Sequence, residues 1–543
     1  MSGKIILGSV VCASTLFAPV GLAGPEDQPS AVRPALQVQE ESLGRVPEKV
    51  KNEAVSPDGK RWAAVGGEPP GEFVWVNGVK SSAHFGVRSA PLFSPDGRRM
   101  AYKVALPEKT RAIVVDGQVG PEVDQITDDT TVFSPDSRYL AYVAQKGKKQ
   151  FLVLDGQMGA EYDEVYGITF SPSGKRWAAV ARNAKQSFLL VDGTAVLDFD
   201  FFTWPRLYVT DDHVSCTIMK GDKYALAVDG MTGPFCDDLD PSFVKMNADG
   251  RRYGYRARRD GRWTLALDGK EGQGCDGILT WDFSPDGAHV ACAIKRGEKF
   301  AMLLDGVAAG PEFDRIDGSP LFSPGGRRLA YRARRQGKAV VVVDGQASPD
   351  FDLIARGPMF SPDGSRLAFV ARKGEKVVVV VDGQSSPEYD WFAWRGVQFS
   401  ADGKHLAYVA QGGGKMFVVL DGKPQEAFER VIGASLCFSP DGARLACLAV
   451  RDGKNCAVVD GRAGQGFDSI VPESLRFSAD GRRLTYVGAL GNRQVVVLDD
   501  RQSPEYERVI GGGLTFDSNR SGEYLAIRDG ALFRGRWREG TGE

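Results

Sequence analysis

The chain has 543 residues, 42% of them hydrophobic and 10% aromatic, which makes it too long for one small domain and too apolar for a disordered segment. Its 68 Lys and Arg against 70 Asp and Glu leave a net charge of −2, a balance that argues against nucleic acid as the main partner. At the N-terminus a single cation, Lys4, precedes an apolar run from Ile5 to Ala23 that ends in small residues. That pattern reads as a secretory signal cleaved after Ala23 or Gly24. Removing residues 1–24 takes away one Lys, so −2 becomes −3, and the expected location is periplasmic or secreted. Cys12 follows Val10 and Val11 rather than a small residue, which excludes a lipid-attachment site. Residues 25–40, rich in Pro, Gln and Glu, read as a linker. No later apolar run reaches the roughly 18 residues of a membrane-spanning helix.

From about residue 41 a cassette recurs thirteen times. Aligned on the residue that follows the usual Phe, from Ser56 to Asp517, the copies stand 37 to 40 residues apart. The copy at Ser361 shows its logic. Ser361-Pro362-Asp363-Gly364 suits a type I turn, with Pro fixing φ at the second position and Gly accepting the positive φ that follows. Residues 367–371 and 377–381 are apolar runs too short for helices and unbroken by polar residues, as expected of strands covered on both faces. Pro387-Glu388-Tyr389-Asp390 then opens a shorter, more polar strand. Four antiparallel strands, here a to d, with b and c buried and d exposed, describe a propeller blade.

The fold class expected is therefore all-β, with about thirteen four-stranded blades of about 38 residues. Single rings usually hold about four to eight blades, so tandem propellers of six plus seven, in either order, are expected. Residues 41–270 would form the first and 271–537 the second, with a seam near Gly269 to Gly274 and a tail at 538–543. Residues 41–46 resemble a strand d, and the array closes near Trp537 with strands a, b and c alone. These ends support two rings, each latched by an early d strand pairing with late a, b and c strands.

These residues, Phe-Ser-Pro-Asp-Gly followed by Arg-Leu-Ala-Tyr or Arg-Leu-Ala-Phe, resemble the TolB-like, WD-repeat-like propeller family of bacterial envelope proteins. The eukaryotic signature of Gly-His and Trp-Asp is missing, and the one Trp281-Asp282 falls in strand a. The resemblance implies a scaffold for protein or peptide binding outside the cytoplasm.

Catalytic patterns are sparse. The four histidines stand in unrelated copies, Gly-x-Ser-x-Gly does not occur, and Gly412-Gly413-Gly414-Lys415 joins two strands and reads as a hairpin turn. Of the seven cysteines beyond the signal segment, most stand where other copies carry a core residue and read as small buried hydrophobes, and no Cys-x-x-Cys pair supports zinc. No cofactor or metal is expected.

Departures from the cassette are more informative. Two d-to-a connections carry aromatic clusters, Phe201, Phe202 and Trp204, then Trp391, Phe392 and Trp394, and aromatics of this kind are common partner anchors. Where most copies place Val near the end of strand b, two place Arg256 and Arg332, followed by Arg258 and Arg334. An unpaired buried guanidinium is costly, so each must be paired or reach solvent. In a propeller the b-to-c and d-to-a connections share one face. That face is expected to be basic, while the acids of Asp-Gly and Pro-Glu-Tyr-Asp collect on the other. The reading is a monomeric, non-enzymatic scaffold that binds a protein or peptide of the cell envelope through the basic, aromatic-bearing face. The alternative is a channel hydrolase or lyase, or a carbohydrate-binding protein, acting on an anionic ligand that Arg256 and Arg332 would hold.

Overall fold

The structure is a computed structural model that describes residues 36–200, 207–247 and 249–539. Thirteen antiparallel sheets follow one another along the chain, numbered here as blades 1 to 13, with blade 1 beginning at Val50–Val55. Blade 9 is representative, with strands Leu353–Phe360, Leu367–Lys373, Lys376–Val381 and Gln384–Ser385 paired in chain order. Its a-to-b turn closes as the sequence dictates. The Ser361 hydroxyl donates to Asp363, the Arg366 amide donates to the Ser361 oxygen at 3.0 Å, and the Gly364 amide reaches the Ser361 carbonyl at 2.8 Å. Gly364 has φ +73°, and a Cβ there would lie 3.2 Å from Ser323 of blade 8, so both conformation and contact require glycine.

Strands b and c read as unbroken apolar runs because alternate side chains serve different neighbours. Ala368, Val370 and Val379 pack with Tyr389 and Tyr408 of the blade 10 side. Phe369, Ala371, Val378 and Val380 pack with Ala330 and Val341 of blade 8. A pleated strand points successive residues to opposite faces, so one blade supplies half of two interfaces. No blade can bury its own faces alone.

The arrangement is one ring of thirteen blades, not six plus seven. At the expected seam the packing continues without a break, with Trp263, Leu265 and Leu267 of blade 6 against Trp281 and Cys292 of blade 7. The ring closes instead between blades 13 and 1, where Ile510, Leu525 and Leu532 meet Trp62, Ala64 and Trp75. Val38–Arg45 completes blade 13 by pairing antiparallel with Ala531–Arg538, from Val38 against Trp537 to Arg45 against Ala531. The sequence led to one such latch in each of two rings; the structure has one, joining the two ends of the array and beginning at Val38 inside the stretch read as linker. A single chain offers one such latch. Blade 6 has its own d strand, Lys270–Glu271, and leaves no place for a second.

Two belts of polar contacts join the blades. On the b-to-c face, the Asp that ends Pro-Glu-Tyr-Asp or its equivalent accepts from both neighbours. Asp163 takes the Lys149 ammonium of blade 3 at 2.8 Å and the Ala184 amide of blade 4 at 2.6 Å. Asp352 joins Lys338 to Gly374, and Asp468 joins Lys454 to Gly491, in the same way. On the other face, Arg366 donates to Asp382 of its own c-to-d turn at 3.1 Å and to the Lys404 carbonyl of the next blade at 2.7 Å, while lying 5.6 Å from the Phe399 ring. Arg444 repeats this with Asp460, Arg482 and Phe477. Exposed pairs are worth about 0–1 kcal/mol each. They fix orientation, while apolar burial at about 25 cal/mol per Å² supplies the stability.

The latch makes a direct prediction. Glu40 bonds Arg528 at 2.8 Å and accepts from the buried Tyr506 hydroxyl, and Tyr524 and Trp537 are buried behind it. Removing residues 1–45 should lower the melting midpoint and make 508–538 the first site of limited proteolysis. An unchanged melt with uniform protease resistance would show that the strand does not close the ring.

Candidate functional site

The face carrying the b-to-c loops is not uniformly basic. Lys149, Lys223, Lys299, Lys338, Lys376 and Lys454 are each paired with an Asp of the belt described above. The opposite face is mixed as well, since each Asp of a c-to-d turn faces an Arg or His that opens strand b. His213, His289 and His405 take the Arg position in three blades and hold Asp229, Asp305 and Asp421 through Nδ1 at 2.5, 2.7 and 2.6 Å. The Asp of Pro-Glu-Tyr-Asp thus lies on the b-to-c face, not with the Asp-Gly turns on the other as expected.

Among the aromatics, Phe201, Phe202 and Trp204 lie outside the described residues, as does the side chain of Trp394. Trp391 opens strand a of blade 10, Trp391–Phe399, and is 41% exposed. Phe392, one residue on, is 3% exposed and packs between blades 9 and 10 with Tyr408 and Val370. The pair shows the pleat at work, one ring out and one ring in. Two further aromatics are exposed on this face, Phe85 at 51% and Tyr166 at 40%. Phe85 takes the place of the closing Asp between blades 1 and 2, a departure visible in the sequence as a single ring rather than a cluster. Tyr166 donates to Glu164.

The arginines separate into two environments. The middle of strand b carries a cation in blades 2, 6 and 8: Lys103, Arg256 and Arg332. Lys103 is 9% exposed and reaches Asp128 of blade 3 at 2.7 Å and the Ile126 carbonyl at 3.4 Å. Arg256 reaches Asp240 of its own blade at 2.8 Å and the Ile278 carbonyl of blade 7 at 2.8 Å, with its guanidinium 3.5 Å from the Phe243 ring. Burial would raise the Asp240 pKa, but hydrogen bonds from Ser242 and Arg256 hold it below the ordinary value. Both cations are answered from inside the fold. Arg258 is exposed.

In blade 8 the acid equivalent to Asp240 is Asp317, and its oxygens are engaged elsewhere. Arg315 approaches one at 2.6 Å and Arg334 donates to the other at 2.9 Å. Arg332 lines a cleft of ≈ 280 Å³ with Arg315, Asp317, Gly318, Arg334 and, from blade 9, Ile354. Among the described residues no carboxylate pairs with it. Three guanidinium groups thus share one carboxylate at the junction of blades 8 and 9.

Other chemistry is not assembled. Among the described residues no group of three His, Cys, Asp or Glu side chains converges, and the seven cysteines there are free thiols. Burial pushes the Cys216, Cys292 and Cys447 thiols up to about 12, far from a reactive thiolate. Geometry thus defines a single-ring, thirteen-bladed propeller with exposed aromatics and one cationic cleft on its b-to-c face.

No known family model matches the chain, and no curated protein matches it. Among solved structures it is similar to one described as the "crystal structure of the eukaryotic initiation factor", at 12% identity and a TM-score of 0.32, covering 68% of this chain and 96% of that one. Another is described as the "structure of Dos1 propeller", at 12% identity and a TM-score of 0.24, covering 54% and 93%.

The two arginine environments predict opposite stability effects. Replacing Arg256 by Val should destabilise by about 1–3 kcal/mol, below the full cost of breaking a buried pair because Asp240 keeps some solvent contact. Replacing Arg332 by Val, the residue at this position in blades 3, 4, 9 and 10, should raise the melting midpoint. Equal losses in the two variants would contradict the assignment.

Proposed function

We propose that this chain is an exported, monomeric, non-enzymatic propeller scaffold of the TolB-like blade type. In this reading residues 1–24 direct export, and a protein or peptide partner of the cell envelope binds on the b-to-c face. The observation that carries the reading is the set of exposed aromatics that open first strands or replace the belt Asp there: Phe85, Tyr166 and Trp391. In a molecule most of whose rings fill the seams between blades, with Tyr139 exposed at a turn of the other face, exposed rings beside strand ends offer large contact area at low entropic cost. The blade resemblance supports the same class of role, and residues 201, 202, 204 and 394 remain candidates for this surface. The cationic cleft supports an anionic element in the ligand. It also supports the alternative of a carbohydrate-binding protein or channel enzyme acting on an anion.

The test is to isolate a partner from envelope extract with the full chain and measure its affinity for purified variants. Changing Phe85 and Trp391 to Ala should weaken binding at least tenfold, equivalent to about 1.4 kcal/mol. Met231→Ser and Val307→Ser alter exposed residues beside the c-to-d turns on the other face and should leave affinity unchanged. Equal affinity in all variants would count against this surface.

A further inference from the structure

Arg332 is the cation whose answer the fold withholds. Its equivalents have a carboxylate and a main-chain carbonyl each, Asp128 with Ile126 for Lys103, and Asp240 with Ile278 for Arg256. In blade 8 the same acid position is filled by Asp317, but Arg334 donates to one of its oxygens and Arg315 is ion-paired to the other, which accepts no hydrogen bond from Arg332. In blade 9 the position that supplies Asp128 in blade 3 is Arg356, so the neighbour offers no replacement acid. Three guanidinium groups against one carboxylate leave the cleft with a local charge of +2.

Gly318 keeps the site open. It sits at φ +78°, where L side chains are strained, and a Cβ there would stand 3.0 Å from the Arg332 Nη2. The remaining walls include Ala339, Leu353 and Ile354, and the volume of ≈ 280 Å³ admits a short side chain. A planar guanidinium presents its donors as a fork that a carboxylate matches with two parallel hydrogen bonds.

We propose that the cleft between blades 8 and 9 binds a carboxylate of an acidic peptide, with Arg332 as its primary anchor and Arg334 and Arg315 supplying the surrounding field. The proposal deepens the peptide-binding reading above and rests on it. The ligand carboxylate takes the role that Asp240 and Asp128 play in the other two blades. An acidic side chain can lay its methylene groups against Ala339, Leu353 and Ile354 while its carboxylate meets Arg332.

Titration calorimetry of the full chain with an end-blocked hexaglutamate peptide, run beside hexagalacturonate, tests this. One saturable peptide site per chain is expected, weakened at least tenfold by Arg332→Gln, partly retained in Arg332→Lys, and unchanged by Arg98→Gln, an exposed arginine in an a-to-b turn on the other face. Binding should also weaken as salt rises toward a Debye length of about 8 Å. Melting curves should show Arg332→Gln at least as stable as the wild type, separating loss of binding from loss of fold. Absence of peptide binding, equal binding by wild type and Arg332→Gln, or Arg332-dependent binding of hexagalacturonate alone would overturn the proposal. Because partner affinity is tested through Phe85 and Trp391, failure at the cleft is distinguishable from failure of the scaffold reading.

Discussion

The contact between neighbouring blades is the constraint on which everything else depends. Each sheet has two apolar faces and covers neither, so Val370 needs blade 10 as Phe369 needs blade 8. Stability is then a sum of nearest-neighbour terms, and the array is satisfied only when the last blade finds the first. Val38–Arg45 lets that happen by lending blade 13 the strand it lacks. Polar residues of the cassette serve the same junctions. Asp163 and Arg366 look like surface charges in sequence, yet each bonds two consecutive blades. Their recurrence reflects geometry rather than chemistry.

Blade architecture was legible because turn and strand signals are local. Ser361 to Gly364 specifies its turn by side-chain and backbone rules that need no tertiary context. The latch was legible as an orphan strand at one end and a three-stranded blade at the other. The ring was not legible. Closing thirteen blades asks for about 28° per blade rather than the wider angles of the usual four to eight, and that angle arises from packing spread over many side chains. The copies at Thr210 and Asn247 lack Phe-Ser-Pro, yet their turns are still closed by a side-chain acceptor. Asn247 accepts the Arg252 amide at 2.9 Å as the cassette Ser does, and Thr210 accepts that of His213 at 2.9 Å.

Departures from a repeat inform only when their partners are followed. Arg256 and Arg332 look alike in sequence, and the fold separates them: one is neutralised by Asp240 and stacked on Phe243, the other faces a cleft with its expected acid diverted. Trp391 and Phe392 divide similarly, by the pleat of one strand. The acids of Pro-Glu-Tyr-Asp were placed on the wrong face because strand d is short. Tyr389 already bridges to Val377 at the start of strand c, which brings Asp390 to the b-to-c hairpins.

The single ring is the central claim, and a distance across it is decisive. Lys80 ends strand d of blade 1 and Lys270 begins that of blade 6. Spin labels at these positions, read by pulsed electron paramagnetic resonance, should report about 40 Å or more, the chord across five steps of a circle of thirteen sheets spaced about 10 Å, with strand d lying toward the rim. A six-bladed ring would make them neighbours. A distance of about 20 Å would contradict the account.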